Sequence, residues 1–232
     1  MLSKLGVCSR AQAGALIGAG RVRVNGAVRR DPTARVDASR DRIELDGQLV
    51  RAASKIYLML NKPRGLVTTA SDEQGRETVF SCLAGKGLPF LAPVGRLDKA
   101  SEGLLLFSND STWAAGITAP ESHLEKTYHV QVGCLADDRM ARRLEAGVVI
   151  EGERLAARQV RVLRQGARNA WLEIVLDEGK NRQIRRLVAT LGTEVLRLVR
   201  VAIGDLPLGA LAKAESRLLT AAEVAGLRRP QR

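Results

Sequence analysis

Apolar and polar positions alternate in two short stretches near the start of the chain. Arg21-Val22-Arg23-Val24 and Ile43-Glu44-Leu45 each run into a pair that tolerates positive φ, Asn25-Gly26 and Asp46-Gly47, before the pattern resumes. Alternation of this kind predicts half-buried strands, and the two pairs predict two-residue hairpin turns. Ahead of the first hairpin, Ser9 and Gln12 have capping-box spacing, which predicts a helix through Leu16–Ile17 that stops at Gly18 or Gly20. One short helix and two hairpins make a small unit with few core residues. Arg51-Ala52-Ala53-Ser54 reads as the junction after it.

From Lys55 the pattern changes. Ile56-Tyr57-Leu58-Met59-Leu60 and Gly103-Leu104-Leu105-Leu106-Phe107 are unbroken apolar runs, as in strands buried on both faces. Asn61-Lys62-Pro63-Arg64-Gly65 ends the first run, and Asn109-Asp110 the second. Thr127 to Val132 alternates, with Tyr128, Val130 and Val132 on one face, and Trp171 to Leu176 is a further strand. Asp137 to Leu144 reads as a helix with an acidic start. Arg182 to Leu191 reads as another, with Ile184, Leu187, Val188 and Leu191 on its apolar side. These elements add up to an α+β protein, a small module and then a larger sheet-rich domain.

Charge adds a partner class to this outline. The chain has 232 residues and a formal net charge of +12, with nine basic against five acidic side chains in residues 1–50. Such a balance points to a polyanionic partner. Aromatic residues make up only 3%, too few for a platform that stacks successive bases, so recognition must rest on charge and shape. Cys8, Cys82 and Cys134 are far apart and odd in number, which argues against a disulfide framework and for a reducing compartment. With His123 and His129 the only histidines, no zinc-type cluster can be assembled locally, and no calcium-loop spacing occurs. No run reaches membrane-spanning length and no apolar leader opens the chain, so a cytoplasmic protein without a metal site is expected.

Two stretches could carry chemistry. In Gly95-Arg96-Leu97-Asp98-Lys99-Ala100-Ser101-Glu102-Gly103 a charged segment runs into a buried strand, where a carboxylate can be desolvated and held by a cation. The same segment also reads as a solvated turn with a surface ion pair. In Glu178-Gly179-Lys180-Asn181-Arg182-Gln183-Ile184-Arg185-Arg186, helical spacing puts Arg182, Arg185 and Arg186 on one edge. That edge could meet phosphates, pair with a carboxylate, or simply be a solvated helix face.

Gly95-Arg96-Leu97-Asp98, then Ser101, then Gly103 through Asp110 resembles the signature of the RsuA/RluB family of ribosomal RNA pseudouridine synthases. Leu60-Asn61-Lys62-Pro63 with Gly65, Glu125-Lys126-Thr127-Tyr128, and Gly179 through Arg186 are similar to other blocks of that family, in the same order. Residues 1–50 are similar to the S4 RNA-binding module. The resemblance implies an S4-like domain over 1–52 and a catalytic domain over 55–232, with a mixed, largely antiparallel central sheet flanked by helices. It also implies isomerisation of a ribosomal RNA uridine to pseudouridine without a cofactor. Asp98 would be the essential carboxylate, Arg185 its partner, and Tyr128 the ring that stacks on the target base. As Asp98's role, attack on C1′ or on the base and abstraction of a sugar proton all remain open. Arg96 would act as a wedge or phosphate contact while the base leaves its stack. Lys62, Lys180 and Arg182 would hold RNA near the site. Ser9, Arg10, Arg21, Arg23, Asn25 and Gly26 are the expected RNA contacts of the module, although a solvent-facing strand position is a rival reading for each arginine.

Residues 72–80 and 200–208 look more like those of large-subunit members, so large-subunit rRNA is the expected substrate. Small-subunit rRNA and a non-catalytic assembly role are the alternatives. A monomer is expected, since an RNA-facing surface accounts for the charge. The S4 pattern usually begins upstream of where Met1 falls, which leaves either an earlier native start or a shortened first helix.

Overall fold

The computed structural model describes residues 1–37, 40–51 and 53–228. Residue 52 and residues 229–232, where the two expected domains end, lie outside the described residues. Helix α1 (Arg10–Gly18) opens with the expected capping box, Ser9 accepting from the Gln12 N–H and Gln12 accepting from the Ser9 N–H. Strands β1 (Val22–Val24), β2 (Ala27–Arg29), β3 (Ile43–Leu45) and β4 (Gln48–Leu49) form one antiparallel sheet in the order β2-β1-β3-β4. Its two hairpins turn at Asn25-Gly26 and Asp46-Gly47, all four with positive φ. Leu2, Cys8, Ala13, Val22 and Ile43 make a small core of its own. Hydrogen bonds from the Phe90 N–H to Gly6 O, the Ala53 N–H to Leu5 O, and Asn109 Nδ2 to Ser54 O tie this unit and its junction to the rest of the chain.

The second sheet starts with β5 (Tyr57–Lys62), β6 (Ala92–Val94), β7 (Glu102–Ser108) and β8 (Lys126–Val132), with α2 (Ser111–Thr118) between the last two. Next come α3 (Asp138–Ala146), the hairpin β9 (Val148–Ile150) and β10 (Glu153–Leu155), β11 (Gln159–Gln165) and β12 (Ala170–Leu176). Helix α4 (Gln183–Ala189), β13 (Val195–Ile203), β14 (Leu206–Pro207), β15 (Ser216–Leu218) and α5 (Ala221–Gly226) complete the fold. The sheet runs β11-β12-β8-β13-β7-β5-β15, with β14 on β13 and β6 on β7. Its strand pairs are antiparallel except β13 with β7. This is the mixed, largely antiparallel sheet that the family resemblance implied.

Burial explains the unbroken apolar runs. Every residue of β7 is buried. Leu104 and Leu106 pack with Trp113 and Ile117 of α2, while Leu105 and Phe107 pack with Val79, Leu91 and Leu97 on the other face. On β8 and β12, Val130, Val132, Leu172 and Ile174 share a core with Leu144 of α3 and Ile184, Leu187 and Val188 of α4. The first residue of β7, Glu102, is charged yet 3% exposed. Burial alone would raise its pKa, but hydrogen bonds from Arg197 and Lys213 outweigh that and lower it. The Arg197 fork closes on it at 2.7 and 3.0 Å.

The parallel strand pair of this sheet, Val199–Arg200 against Glu102–Gly103, brings two backbones unusually close. A Cβ on Gly103 would lie 2.2 Å from the Arg200 carbonyl oxygen, and φ there is +101°. Gly103→Ala should therefore cost about 2 kcal/mol or more in urea unfolding. Gly116→Ala, on the exposed part of α2 with open space around it, should be neutral or stabilising by up to about 1 kcal/mol. Equal effects at both positions would contradict the close approach.

Candidate active site

Asp98 lies on the loop between β6 and β7, and three residues at and just after the end of β5 pin that loop. The Gly65 N–H donates to Lys99 O at 2.8 Å. Thr68 Oγ1 donates to Leu97 O at 2.7 Å and accepts the Leu97 N–H at 3.3 Å. Lys62, the last residue of β5, sends Nζ to the carbonyls of Ser101 at 2.8 Å, Pro63 at 3.1 Å and Asp98 at 3.2 Å. Lys62 is wholly buried. That corrects the expectation of an RNA-holding lysine, because an ammonium sealed beneath the loop cannot meet a phosphate. Desolvation lowers its pKa to about 8, against upward pulls from Asp98 and Glu102.

The Asp98 carboxylate is held differently from expectation. Its ion pair is with Arg182 Nη1, at 3.6 Å. Arg185 instead donates to Val195 O at 3.1 Å and Ala100 O at 3.3 Å, so it grips the Asp98 loop by the main chain. Burial lowers the Arg185 pKa, Arg182 lowers it further, and Asp98 raises it, which puts the two charges within each other's field. The arginines do not share one helix edge. Arg182 takes a left-handed conformation at φ 48°, so the helix starts one residue later, at Gln183. Arg186 turns away to Glu153 at 2.6 Å.

These groups border one cleft of about 690 Å³, lined by Arg96, Asp98, Tyr128, Lys180, Arg182 and Arg185 among others. That volume suits a nucleotide-sized ligand. Tyr128 borders it from β8, half-buried. Arg96 is exposed at its edge. Lys180 is already engaged, by Glu178 at 2.8 Å and Arg154 O at 2.6 Å, and so ties the cleft rim to β10.

The candidates in residues 1–50 are apart from this cleft and mostly serve their own fold. The Ser9 hydroxyl caps α1. Arg21 Nε pairs with Asp46 at 2.9 Å. Asn25 bridges Asp41 and the Arg42 N–H, both at 2.9 Å, and Gly26 completes the turn. Arg10 and Arg23 are exposed, and among the described residues Arg23 makes only a 3.5 Å contact with Gly26 O.

Sequence reasoning did not single out Lys126 and Arg200, which also line the cleft. Lys126 stands two residues before Tyr128 and therefore on the same strand face, a signal present in the alternation itself. Arg200 interrupts an apolar strand directly opposite Tyr128.

Similarity to known proteins agrees with this geometry. The RNA pseudouridylate synthase family model matches residues 56–190, more than half the chain. The chain belongs to that family. An S4 domain model matches residues 1–43 of this pseudouridine synthase. It is 34% identical to ribosomal large subunit pseudouridine synthase B of Bacillus subtilis, over 98% of this chain and 93% of that protein. It is 39% identical to an uncharacterized RNA pseudouridine synthase of Rickettsia conorii, over 88% of each. A crystal structure of a pseudouridylate synthase, 30% identical, superposes with a TM-score of 0.66 over 97% of this chain and 96% of that one. Among the described residues, no helix is long and apolar enough to cross a membrane.

The buried lysine makes a test by pH. Its pKa of about 8 in the fold lies below the ordinary lysine value of 10.5. Between those values the unfolded chain binds more protons, so Lys62 adds stability as pH rises through that window and loses it as pH falls. The stability deficit of Lys62→Met should grow by on the order of 3 kcal/mol between about pH 7.5 and 10.5. A constant difference in denaturant melts across that range would place the ammonium in contact with water.

Proposed function

We propose that this pseudouridine synthase modifies a uridine of large-subunit ribosomal RNA, with Asp98 as its essential carboxylate. The observation that carries the proposal is the convergence of Asp98, Tyr128 and the Arg182–Arg185 pair on one nucleotide-sized cleft. The choice of subunit is supported by the named Bacillus subtilis relative, which this chain matches over nearly its whole length.

The reaction balances within the substrate. The C1′–N1 bond breaks and a C1′–C5 bond forms; the hydrogen at C5 leaves as a proton and N1 gains one. No oxidant, reductant or group donor enters. Asp98 starts the exchange by attacking C1′ or the base, or by taking a proton from the sugar. Tyr128 stacks on the displaced base, and Arg96 at the cleft edge helps to draw it from the helix. Arg182 pairs directly with the carboxylate, and Arg185 holds the loop that bears it. The division of labour is by segment: residues 1–52 dock on RNA and residues 55–232 carry out the chemistry. The working form is a cytoplasmic monomer, whose exposed basic surface is matched by RNA rather than by another subunit.

Release of tritium from C5-labelled uridine reads this chemistry directly. Wild type should release label from large-subunit rRNA transcripts, and Asp98→Asn should not, with RNA affinity retained. Release from small-subunit rRNA alone would move the substrate. Release by Asp98→Asn at the wild-type rate would remove the carboxylate from its role. For docking, replacing Arg10 and Arg23 by Gln should lower the slope of log affinity against log salt by about 2. An unchanged slope would take both residues off the RNA.

A further inference from the structure

Among the described residues, the buried side-chain polar atoms that lack a hydrogen-bond partner are Gln183 Oε1, Arg185 Nε and Arg200 Nη2. All three residues line the cleft. Folded chains rarely leave such atoms unmatched, so their gathering at one cavity marks groups kept for a ligand.

Arg200 is the clearest case. It is 5% exposed, commits Nε to Leu104 O at 2.8 Å, and has no carboxylate within ion-pair distance among the described residues. In the β8–β13 ladder it stands directly opposite Tyr128. Lys126 precedes Tyr128 by two residues, so all three side chains share one sheet face. Lys126 is half-buried, and its side chain also has neither hydrogen bond nor ion pair among the described residues. Burial lowers its pKa and the neighbouring Arg200 lowers it further, against an opposing pull from Asp177. Two cations are thus largely withdrawn from water, set beside each other and left without a direct ion-pair partner among the described residues. That arrangement is unfavourable unless an anion arrives.

Resting on the function proposed above, we propose that Lys126 and Arg200 form an anion-binding floor that holds the carbonyl oxygens of the uracil ring while it is detached from the sugar. When the C1′–N1 bond breaks, its electron pair stays on the ring, and the negative charge spreads from N1 onto O2 and O4. A ring stacked on Tyr128 brings those oxygens next to the two cations that flank it. Fixed charges aimed at developing negative charge in a dry cavity are the largest single source of catalysis in many enzymes. The charge returns to neutral when C5 bonds to C1′, the C5 proton leaves and N1 takes one up. A backbone phosphate is the weaker candidate ligand, because Arg96, Lys99 and Arg182 already supply cations nearer water along the same cleft.

The test compares single-turnover tritium release and RNA affinity in wild type, Lys126→Met, Lys126→Arg and Arg200→Met, using rRNA transcripts labelled at C5 of uridine. Lys126→Met and Arg200→Met should each slow release about 100-fold, with RNA Kd changed less than about threefold and the Lys126→Arg rate within about tenfold of wild type. Release at the wild-type rate would overturn the proposal. So would a loss confined to Kd with a lower salt slope, the mark of a phosphate contact. Lys126→Arg as slow as Lys126→Met would also overturn it, by making shape rather than charge the requirement. If Arg200→Met fails to fold, Lys126→Met decides alone, since the Lys126 ammonium makes no bond among the described residues. No release by wild type from either rRNA would instead sink the broader functional reading, which separates the two failures.

Discussion

Lys62 carries a positive charge to the end of a buried strand where water cannot reach it, and three main-chain carbonyls stand in for that water. Two of the three belong to the loop that bears Asp98. An ammonium has three donors and no acceptor, so its burial is tolerable only while all three carbonyls stay in place. The position of the Asp98 loop and the satisfaction of the buried charge are therefore one condition. Thr68 and Gly65 add grips from the next segment, and Arg185 adds one from α4. The Asp98 side chain takes no part in that main-chain hold and meets Arg182 at the cleft.

A similar division between structural and free charge runs through the other cations around the cleft. Arg197 and Lys213 neutralise buried Glu102 at the start of β7. Arg186 and Lys180 tie α4 and its preceding loop to the β9–β10 hairpin. Only after these are accounted for do the unmatched charges stand out, Arg200 and Lys126 beside Tyr128 and the exposed Arg96 at the edge. The net charge of +12 is thus a mixture of fold-holding pairs and a smaller set of groups that face the cleft.

The fold was readable where a local rule decided it. Asn25-Gly26 and Asp46-Gly47 specify their turns through φ, Ser9 and Gln12 specify a helix start, and unbroken apolar runs specify strands covered on both faces. Asp98 and Tyr128 were singled out by the ordered family blocks that carry them, and both line the cleft. What stayed hidden depends on pairings distant in sequence. Nothing local to Lys62 tells that a loop some forty residues away closes over it, so it read as an RNA contact. Helical spacing placed Arg182 beside Arg185 and Arg186, but the left-handed turn at Arg182 sent it to Asp98 and released the others to different partners. Arg200 needed the β8–β13 register before its place opposite Tyr128 could be seen.

The most direct test of this account is a crystal structure of Asp98→Asn bound to the rRNA stem-loop that wild type modifies. The account predicts the target uridine turned out of its helix, its base stacked on Tyr128, its C1′ facing residue 98, and its carbonyl oxygens toward Lys126 and Arg200. A target base still paired within the helix, or a ribose turned away from residue 98, would contradict it.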